Sequence, residues 1–568
     1  MLESRSGGQL VVGALQVHGV DMVFGVPGES YLPVLDALYD SPIRFIINRQ
    51  EGGAAFMADA YGKMTGRPGI CFVTRGPGAT NAAIGVHTAY HDSTPMILFI
   101  GQVGNDFVER EAFQEIDYRR MYGQMAKWVA QIDRTERIPE YIARAFQVAT
   151  SGRPGPVVLA LPEDMLAGLA AVADTRCYTA IQASPSAAQL SQLRDSLASA
   201  QRPILILGGG GWNQQACEDI GEFAAANRLP LSCAFRFQDL VDNAHPNYVG
   251  DVGIGINPKL AQRIREADLV IAIGPRLGEM TTSGYSILEA PIPKQTLIHI
   301  HADALELGRV YQANLMINSG MPQIAAALKA MPPVAAGAWQ ASVQAAKAEL
   351  LDYQKEPPIF KHAEAPLNLW QLVQDLMLAV PKDTIVTNGA GNYATWAHRF
   401  YRYGGWRTQL APTSGAMGYG VPAGIAAKIM QPQRTVVTFA GDGEYLMNGQ
   451  ELATAVQYRA GVIIIVFNNG MFGTIRMHQE REFPTRVSGT ELHNPDFAAL
   501  AKAYGASGEV VSTTAGFAPA LQRALAHTQS TSLPALIELR YDGNLITPNA
   551  SLEAIRNTAL KNKAGTET

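Results

Sequence analysis

Apolar residues recur along this chain in short runs that end at glycine-rich turns and alternate with stretches of helical spacing. The β-branched run at 435–439 predicts a buried strand, and the run at 462–467 predicts a second one. Between them, residues 448–459 have the apolar spacing of an amphipathic helix. A strand, a helix and a strand in this order predict a βαβ unit with two parallel strands.

The same alternation recurs in the first and middle thirds of the chain. In the first third, we predict helices at 8–20 and 32–39, after Glu51 and after the turn at 75–81, and strands at 22–25, 43–47, 70–74 and 95–100. In the middle third, we predict strands at 203–207, 269–273 and 296–300. Strands that alternate with helices predict parallel sheets with helices on both faces. The predicted fold class is therefore α/β, with three doubly wound parallel-sheet domains.

Chain length supports this division, because 568 residues are too many for one hydrophobic core. We place the domains at 1–165, 189–332 and 366–545. Linkers rich in small residues and proline are predicted at 166–188 and 332–366, and a polar surface tail after Tyr541.

Composition narrows the function classes. The net charge of −5 gives no support for a nucleic-acid partner. No apolar run reaches the roughly 20 residues needed to cross a bilayer, so no membrane association is expected. The four cysteines are far apart and have no pairing pattern, and the first ten residues lack the features of a signal peptide. We therefore expect reduced thiols and a cytoplasmic protein.

Polar side chains follow both strands of the βαβ unit in the last third. Asp442 follows the first strand and Asn469 follows the second, so both are expected at neighbouring carboxyl ends of a parallel sheet, where such sheets bind ligands. A carboxylate, an amide oxygen and a backbone carbonyl form an oxygen-only ligand set that suits Mg²⁺ or Ca²⁺ holding a phosphate. The alternative is a βαβ unit whose turn happens to contain these residues.

The GDG sequence at 441–443, followed by the asparagine pair at 468–469, resembles the thiamin diphosphate (ThDP) motif. The resemblance implies that Asp442, the Asn469 side chain and the Met471 carbonyl hold Mg²⁺, which bridges to the cofactor's diphosphate.

In the first third, Glu51 follows an apolar strand and precedes a run of small residues that allow a flat ring to approach closely. A carboxyl group there can hydrogen-bond or protonate a heterocyclic nitrogen. It can equally well be a carboxylate at a helix N-terminus that interacts favourably with the helix dipole.

The stretch at 49–81, RQEGGAAFMADAYGKMTGRPGICFVTRGPGATN, resembles the pyrimidine domain of acetolactate synthase and its 2-oxoacid decarboxylase relatives. The resemblance implies that Glu51 bonds the aminopyrimidine ring and that Met417 keeps the cofactor bent, although Met417 can also be an ordinary core residue. It implies pyrimidine-binding, central and diphosphate-binding domains. It also pairs Glu51 of one chain with Asp442 of another, so we expect at least a homodimer and favour a homotetramer.

The resemblance implies a full set of site residues. The catalytic residues would be Glu51, Gln114 and Glu29. The cofactor-binding residues would be Glu51, Pro27, Thr74, Asn81, Gly391, Asn392, Tyr393, Gly415, Met417, Gly441, Asp442, Gly443, Glu444, Asn469, Met471, Phe472, Gly473 and Thr474.

The subtype is less sharply defined by the resemblance. Residues 112–115 with Lys127 resemble the acetolactate synthase loop, in which Phe113 and Gln114 border the substrate, whereas the loop at 470–476 is closer to benzoylformate decarboxylase. The serine and histidine of that decarboxylase would fall on Glu29 and Thr74. The histidine pair of the pyruvate decarboxylases is missing. Their glutamate after the metal-binding asparagine is also missing, and Ile475 stands at its position.

Several residues keep two interpretations. Arg75 either pairs with an acidic neighbour or receives a substrate carboxylate. Glu29 either transfers a proton to the substrate or is a loop carboxylate without a catalytic part. His478, where the synthases usually have tryptophan, either faces the substrate or is structural.

The middle domain bears on nucleotide cofactors. The turn at 208–211 lacks the GxGxxG spacing and is interpreted as an ordinary strand-to-helix turn, with nucleotide binding as the alternative. Residues 274–279 and 299–303 match the FAD-binding synthases only in part, and His301 stands where an acidic residue is expected. We therefore predict no tightly bound FAD.

The predicted function is ThDP- and Mg²⁺-dependent decarboxylation of a pyruvate-like 2-oxo acid, followed by carboligation to a carbonyl acceptor. The alternatives are a 2-oxoacid decarboxylase that releases an aldehyde and a ThDP-binding homologue without catalysis.

Overall fold

The structure, a computed structural model, describes residues 2–334, 339–360 and 366–566. The first domain is a six-stranded parallel sheet of order β3-β2-β4-β5-β7-β6, and β1 pairs with β8 in antiparallel fashion. Its strands are β1 (Arg5–Ser6), β2 (Met22–Gly25), β3 (Arg44–Ile47), β4 (Gly69–Val73), β5 (Met96–Gln102), β6 (Trp128–Gln131), β7 (Pro156–Pro162) and β8 (Leu169–Ala170). Its helices are α1 (Gly7–Val17), α2 (Leu32–Tyr39), α3 (Glu51–Thr65), α4 (Pro77–Asp92), α5 (Tyr118–Tyr122), α6 (Ile138–Thr150) and α7 (Glu163–Ala167).

The middle domain has its own parallel sheet of order β11-β10-β9-β12-β13-β14. Its strands are β9 (Pro203–Leu207), β10 (Leu231–Cys233), β11 (Tyr248–Asp251), β12 (Leu269–Ile273), β13 (Thr296–His301) and β14 (Leu315–Asn318). Its helices are α8 (Ala187–Ser199), α9 (Gln214–Ala226), α10 (Pro258–Glu266) and α11 (Met321–Ala330), and α12 (Gln340–Tyr353) follows them.

The closing domain repeats the architecture with the order β16-β15-β17-β18-β20-β19. Its strands are β15 (Ile385–Asn388), β16 (Gln409–Leu410), β17 (Val436–Gly441), β18 (Ile463–Asn468), β19 (Ser507–Val511) and β20 (Ala535–Arg540). Its helices are α13 (Leu369–Ala379), α14 (Ala394–Phe400), α15 (Gly420–Met430), α16 (Asp442–Asn448), α17 (Leu452–Gln457), α18 (Gly473–Glu482), α19 (Phe497–Ala503), α20 (Thr514–Thr531) and α21 (Leu552–Thr566).

The predicted α/β class with three parallel sheets is confirmed. In the closing domain, β17 and β18 are adjacent and parallel, with Gly441 opposite Phe467. The residues that follow these two strands therefore lie at one edge of the sheet, as predicted. The exact domain boundaries stay a prediction.

The helix predicted at 448–459 differs from the structure. Helix α16 begins directly at Asp442, a short 3-10 turn follows at Gly449–Glu451, and α17 ends at Gln457. Asp442 and Glu444 lie in the first turn of α16, where the helix dipole favours negative charge. The glycine turn predicted after β17 is thus already the start of a helix.

Other differences concern segments predicted as linkers or surface. The linker predicted at 332–366 contains α12, while its residues 335–338 and 361–365 lie outside the described part of the chain. The tail after Tyr541 contains α21, which packs against α18, and Arg556 forms an ion pair with the buried Glu480. The strands that were not predicted are β1, β6, β7, β8, β10, β11, β14, β15, β16, β19 and β20; most of them have two to five residues, which carry little periodicity.

The first and closing domains share a hydrophobic core within one chain, because α3 packs against α15. The Phe56 ring lies edge-on to Tyr419, with ring centroids 5.3 Å apart. Lys63 on α3 forms ion pairs with Asp59, at 3.1 Å, and with Asp92. Within the described ranges, no helix combines the length and hydropathy needed to cross a membrane.

Candidate active site

The buried carboxylate of Asp442 lies at the end of β17. One of its oxygens accepts the Gly443 N–H at 3.0 Å, and the other accepts the Gly470 N–H at 2.9 Å and the Asn494 amide at 2.8 Å. Burial raises the pKa of the Asp442 carboxyl, and these three donors oppose that rise. No motif spacing points to Asn494, so sequence reasoning missed it.

A cavity of about 240 Å³ opens beside Asp442. All fourteen residues of the closing domain that were predicted to bind the cofactor or metal line this cavity. They are Gly391, Asn392, Tyr393, Gly415, Met417, Gly441, Asp442, Gly443, Glu444, Asn469, Met471, Phe472, Gly473 and Thr474. Four further lining residues were not predicted, namely Ala390, Phe467, Ile475 and Tyr541.

The cavity has the shape and chemistry of a site for a metal-bound diphosphate. A Cβ atom on Gly441 would lie 3.0 Å from the Tyr393 ring, and one on Gly443 would lie 2.5 Å from the Phe472 ring, so only glycine keeps this cradle open. Asp442, Asn469 and Met471 line the cavity, and carboxylate, amide and carbonyl oxygens are the ligands that Mg²⁺ prefers. The residues present therefore fit ThDP and Mg²⁺.

Other residues that line the cavity are held in place by hydrogen bonds to one another. Asn392 and Thr474 exchange two hydrogen bonds of 3.0 Å, one through the Asn392 backbone N–H and one through its side-chain oxygen. The Tyr393 hydroxyl donates a hydrogen bond to the carboxyl group of the buried Glu444. Burial raises the pKa of the Glu444 carboxyl to about 7, so this group is largely protonated in mildly acidic solution. A protonated carboxyl avoids repulsion with a diphosphate.

The first-domain residues form a separate cluster at the carboxyl ends of β2 and β4. Glu51 is the first residue of α3, and its carboxylate accepts the Asn81 amide at 2.9 Å. Thr74 and Ser30 share a hydrogen bond of 2.8 Å, and Pro27 lies on the neighbouring loop. None of these residues lines the Asp442 cavity of the same chain. One chain therefore presents two halves of the predicted site without joining them.

Glu451 was also missed, and it positions the start of α3. Its carboxylate accepts the backbone N–H groups of Arg49 at 2.9 Å and Gln50 at 3.0 Å, and the Asn48 amide at 3.1 Å. A residue of the closing domain thus fixes the backbone that precedes Glu51 in its own chain.

Arg75 pairs with acidic neighbours. Its guanidinium contacts Glu29 at 3.0 Å and also Glu163, and its Nε donates to the Phe113 carbonyl at 3.0 Å. The two glutamates compensate the Arg75 charge, so the structure favours the pairing over receipt of a substrate carboxylate. The Glu29 side chain remains 65% exposed. Gln114 has a φ of +66° and packs over Gly76.

Lys127 and His478 have different surroundings. The Lys127 ammonium donates to the carbonyls of Val148, Ser151 and Arg153, and so caps the end of α6.

His478, on α18, lines a larger cleft of about 850 Å³ that also includes Asn392. The imidazole of His478 contacts the Arg481 guanidinium. His478 therefore faces the cleft beside the proposed cofactor cavity.

In the middle domain, burial lowers the pKa of His301 to about 3, so the imidazole is neutral near neutral pH. Its Nδ1 accepts the Asp303 N–H at 3.0 Å. The turn after β9 contains Gly209 and Gly211, both with positive φ, which glycine adopts without strain.

The chain matches three families in succession. Residues 5–121 match the thiamine pyrophosphate enzyme, N-terminal TPP binding domain; residues 190–328 match its central domain; and residues 389–539 match its C-terminal TPP binding domain.

Curated relatives cover nearly the whole chain. The large subunit of acetolactate synthase isozyme 2 from Escherichia coli K12 is 34% identical over 510 residues, which are 89% of this chain and 90% of the relative. A probable acetolactate synthase large subunit from Methanocaldococcus jannaschii is 33% identical over 88% of this chain and 86% of its own length. The large subunit of Escherichia coli isozyme 3 is 30% identical over 96% of both chains. The chain therefore belongs to the acetolactate synthase large-subunit family of thiamin diphosphate-dependent enzymes.

Proposed function

We propose that this protein uses ThDP and Mg²⁺ to decarboxylate a pyruvate-like 2-oxo acid and to join the remaining fragment to a second carbonyl compound. The observation that carries the proposal is the Asp442 cavity, which is lined by all fourteen closing-domain residues that the resemblance implies, with a buried carboxylate among them. The relatives named acetolactate synthase support the same reaction class.

Asp442, Asn469 and the Met471 carbonyl would hold the metal. When bound, ThDP supplies the carbon nucleophile and the electron sink that decarboxylation requires. Glu51, kept in position by Asn81, would hydrogen-bond a ring nitrogen and hold a proton there. Met417 and Phe472 would exclude water from the cavity.

Two copies of the chain would be needed to complete the site. Glu51 does not line the Asp442 cavity of its own chain, so we infer that it approaches the cavity of a partner copy, in a homodimer or a homotetramer. The four unpaired cysteines support a reducing compartment, which we infer to be the cytoplasm.

We also infer that the middle domain holds no FAD tightly. The position where the FAD-binding relatives have an acidic residue carries a buried neutral histidine, His301, that is bonded to its own loop. A purified protein without the visible absorbance of a flavin would support this inference, and a stoichiometric flavin spectrum would contradict it.

The reaction is tested with aliphatic, aromatic and acidic 2-oxo acids, each with and without acceptor aldehydes, in the presence of ThDP and Mg²⁺. We expect less than one free aldehyde per CO₂ and a ligation product of the corresponding mass. Release of one aldehyde per CO₂ in every mixture would instead establish the decarboxylase alternative. Cofactor binding without CO₂ release from any substrate would establish a non-catalytic homologue.

A further inference from the structure

A second cavity, of about 500 Å³, lies where the three domains meet. Its walls include the end of α3, the glycine turn after β9 and the segment that contains β16. It shares no lining residue with the Asp442 cavity, and it touches the larger cleft only around Ser93, Gly209, Arg236 and Phe237. Its volume is in the range of pockets that hold small organic ligands.

Two guanidinium groups on its walls have no ion-pair partner among the described residues. Arg236 is 7% exposed, and within the described part of the chain its side chain donates only to the Pro412 carbonyl. The half-buried Arg407 side chain makes no hydrogen bond and no ion pair with any residue in the described ranges, and it lies 5.5 Å from the Trp406 ring.

Arg75 differs from Arg236 and Arg407 in having carboxylate partners. Arg75 is also 7% exposed, but two glutamates compensate its charge. A buried charge without a partner is costly, and breaking a buried ion pair typically destabilises a protein for that reason. Burial accordingly lowers the pKa of Arg236 and of Arg407, and Arg434 lowers that of Arg407 further. An anion in the cavity would relieve this cost.

The carboxylates nearby do not supply that anion. Asp239 accepts the backbone N–H groups of Thr408 and Gln409, both at 3.2 Å. Burial raises the pKa of Asp239 to about 7, so its negative charge is only partly developed near neutral pH. Asp92, the other carboxylate that lines the cavity, is committed to Lys63 and to the Thr413 backbone N–H at 2.6 Å. Glu444, whose charge also acts on Arg236, does not line this cavity and is bonded to Tyr393.

The remaining walls suit a flat apolar body. Trp212, Phe237 and Trp406 line the cavity, and the Trp212 indole N–H is already bonded to the Gly208 carbonyl at 2.8 Å. Aromatic rings of this kind pack well against planar groups.

We propose that the cavity between the three domains is a binding site for a small organic anion, with its carboxylate or phosphate on Arg236 and Arg407 and a planar apolar part against the aromatic rings. The site is separate from the cofactor cavity and does not depend on the reaction proposed above.

The test is calorimetric titration of the ThDP- and Mg²⁺-loaded protein with benzoate and, separately, with phenyl phosphate, which distinguishes the two headgroups. We expect one molecule of at least one probe to bind per chain. Arg407→Met, which removes the charge and keeps an unbranched apolar stem, should weaken binding at least tenfold. Arg402→Met, at an exposed position of the same segment, is the matched control and should change the affinity less than twofold.

Arg236→Met is the second variant, because a loss of binding in two variants at different places excludes a local change of one wall. Thermal unfolding is measured for both variants to check that they are folded. Absence of binding of both probes to the wild-type protein would overturn the proposal. Binding that persists unchanged in both arginine variants would also overturn it, because the probe would then occupy another site.

Discussion

At the scale of single residues, the proposed chemistry depends on how each carboxyl group is held. Glu51 is partly exposed at the first position of α3 and has one amide partner, Asn81. Asp442 is buried and has three N–H partners. Glu51, with one amide partner, has room for a hydrogen bond to a ligand. The three donors on Asp442 oppose the rise in pKa that burial causes and so favour the ionised form that binds a metal.

Glu51→Gln is expected to lower turnover about a hundredfold or more, because an amide cannot hold the proton that general acid–base catalysis requires. ThDP affinity should change only a few-fold, since the diphosphate end is bound by the other domain. Steady-state kinetics and cofactor titration test both effects. Glu140→Gln, at an exposed position on α6, is the control. Normal turnover of the Glu51 variant would refute the function assigned to this carboxyl.

The buried carboxyl group of Asp239 is expected to make the stability of the protein depend on pH. Burial raises its pKa from 3.8 to about 7, so the unfolded chain releases this proton at lower pH than the folded one, and the free energy of unfolding falls as pH rises from about 4 to 7. Asp239→Asn removes the titration and still accepts the two N–H groups. Relative to wild type, the variant should gain up to about 4 kcal/mol over this window. The free energies of unfolding of the wild type and the variant at pH 5 and pH 7.5 measure this difference. Parallel pH profiles of the two proteins would contradict the prediction.

At the scale of elements, glycines decide how closely helices approach. Helices α3 and α4 cross at Gly85, where an added Cβ would lie 2.3 Å from the Ala55 Cβ and 2.8 Å from its backbone. Gly53 on α3 similarly admits the Glu451 carboxylate, at 2.7 Å from the added atom. The small residues after Glu51, interpreted from sequence as space for a cofactor, thus also serve helix packing.

Gly85→Ala is expected to destabilise the protein by about 2 kcal/mol, because the backbone of α3 cannot move away without loss of packing. Gly221→Ala, in the interior of α9, is the control, since an added Cβ there meets no atom within 4 Å. That control should be about 1 kcal/mol more stable than wild type, from helix propensity alone. Chemical denaturation measures both, and equal effects would disprove the close crossing.

Elements that end at clear turn residues were predicted with accurate bounds, as β2 before the turn at 26–28 and α2 before Asp40 show. Elements that depend on their neighbours were not. Strand β10 has three residues and exists because it pairs with β9 and β11. Helix α21 was interpreted as a polar tail because its apolar content is low, yet the ion pair between Arg556 and Glu480 docks it on α18.

At the scale of the whole molecule, each chain holds its first and closing domains together but leaves the predicted site divided. Lys63 on α3 donates to the Ala411 carbonyl and to the Tyr419 hydroxyl of the closing domain, both at 3.1 Å. Glu451 adds contacts to the backbone before Glu51. These intrachain contacts fix one surface of the first domain, and Glu51 remains accessible to a second copy.

A complementation experiment tests the two-chain site. Glu51→Gln and Asp442→Asn subunits should each be nearly inactive as homodimers. A heterodimer purified through two different tags should regain about half of the wild-type rate, because one of its two sites then combines an intact Glu51 with an intact Asp442. If both halves of the site came from one chain, the heterodimer would show no recovery above its parents.

By itself, the sequence determined the alternation of strands and helices that predicts three parallel-sheet domains, because periodicity is a local property of the chain. Its motifs also carried the resemblance that names fourteen of the residues lining the Asp442 cavity. Only the tertiary structure decided which distant groups meet: Asn494 on Asp442, Glu451 on the backbone before Glu51, and Arg236 and Arg407 on one cavity without an ion-pair partner among the described residues. Such contacts depend on how whole domains pack, and packing leaves no short pattern in the sequence.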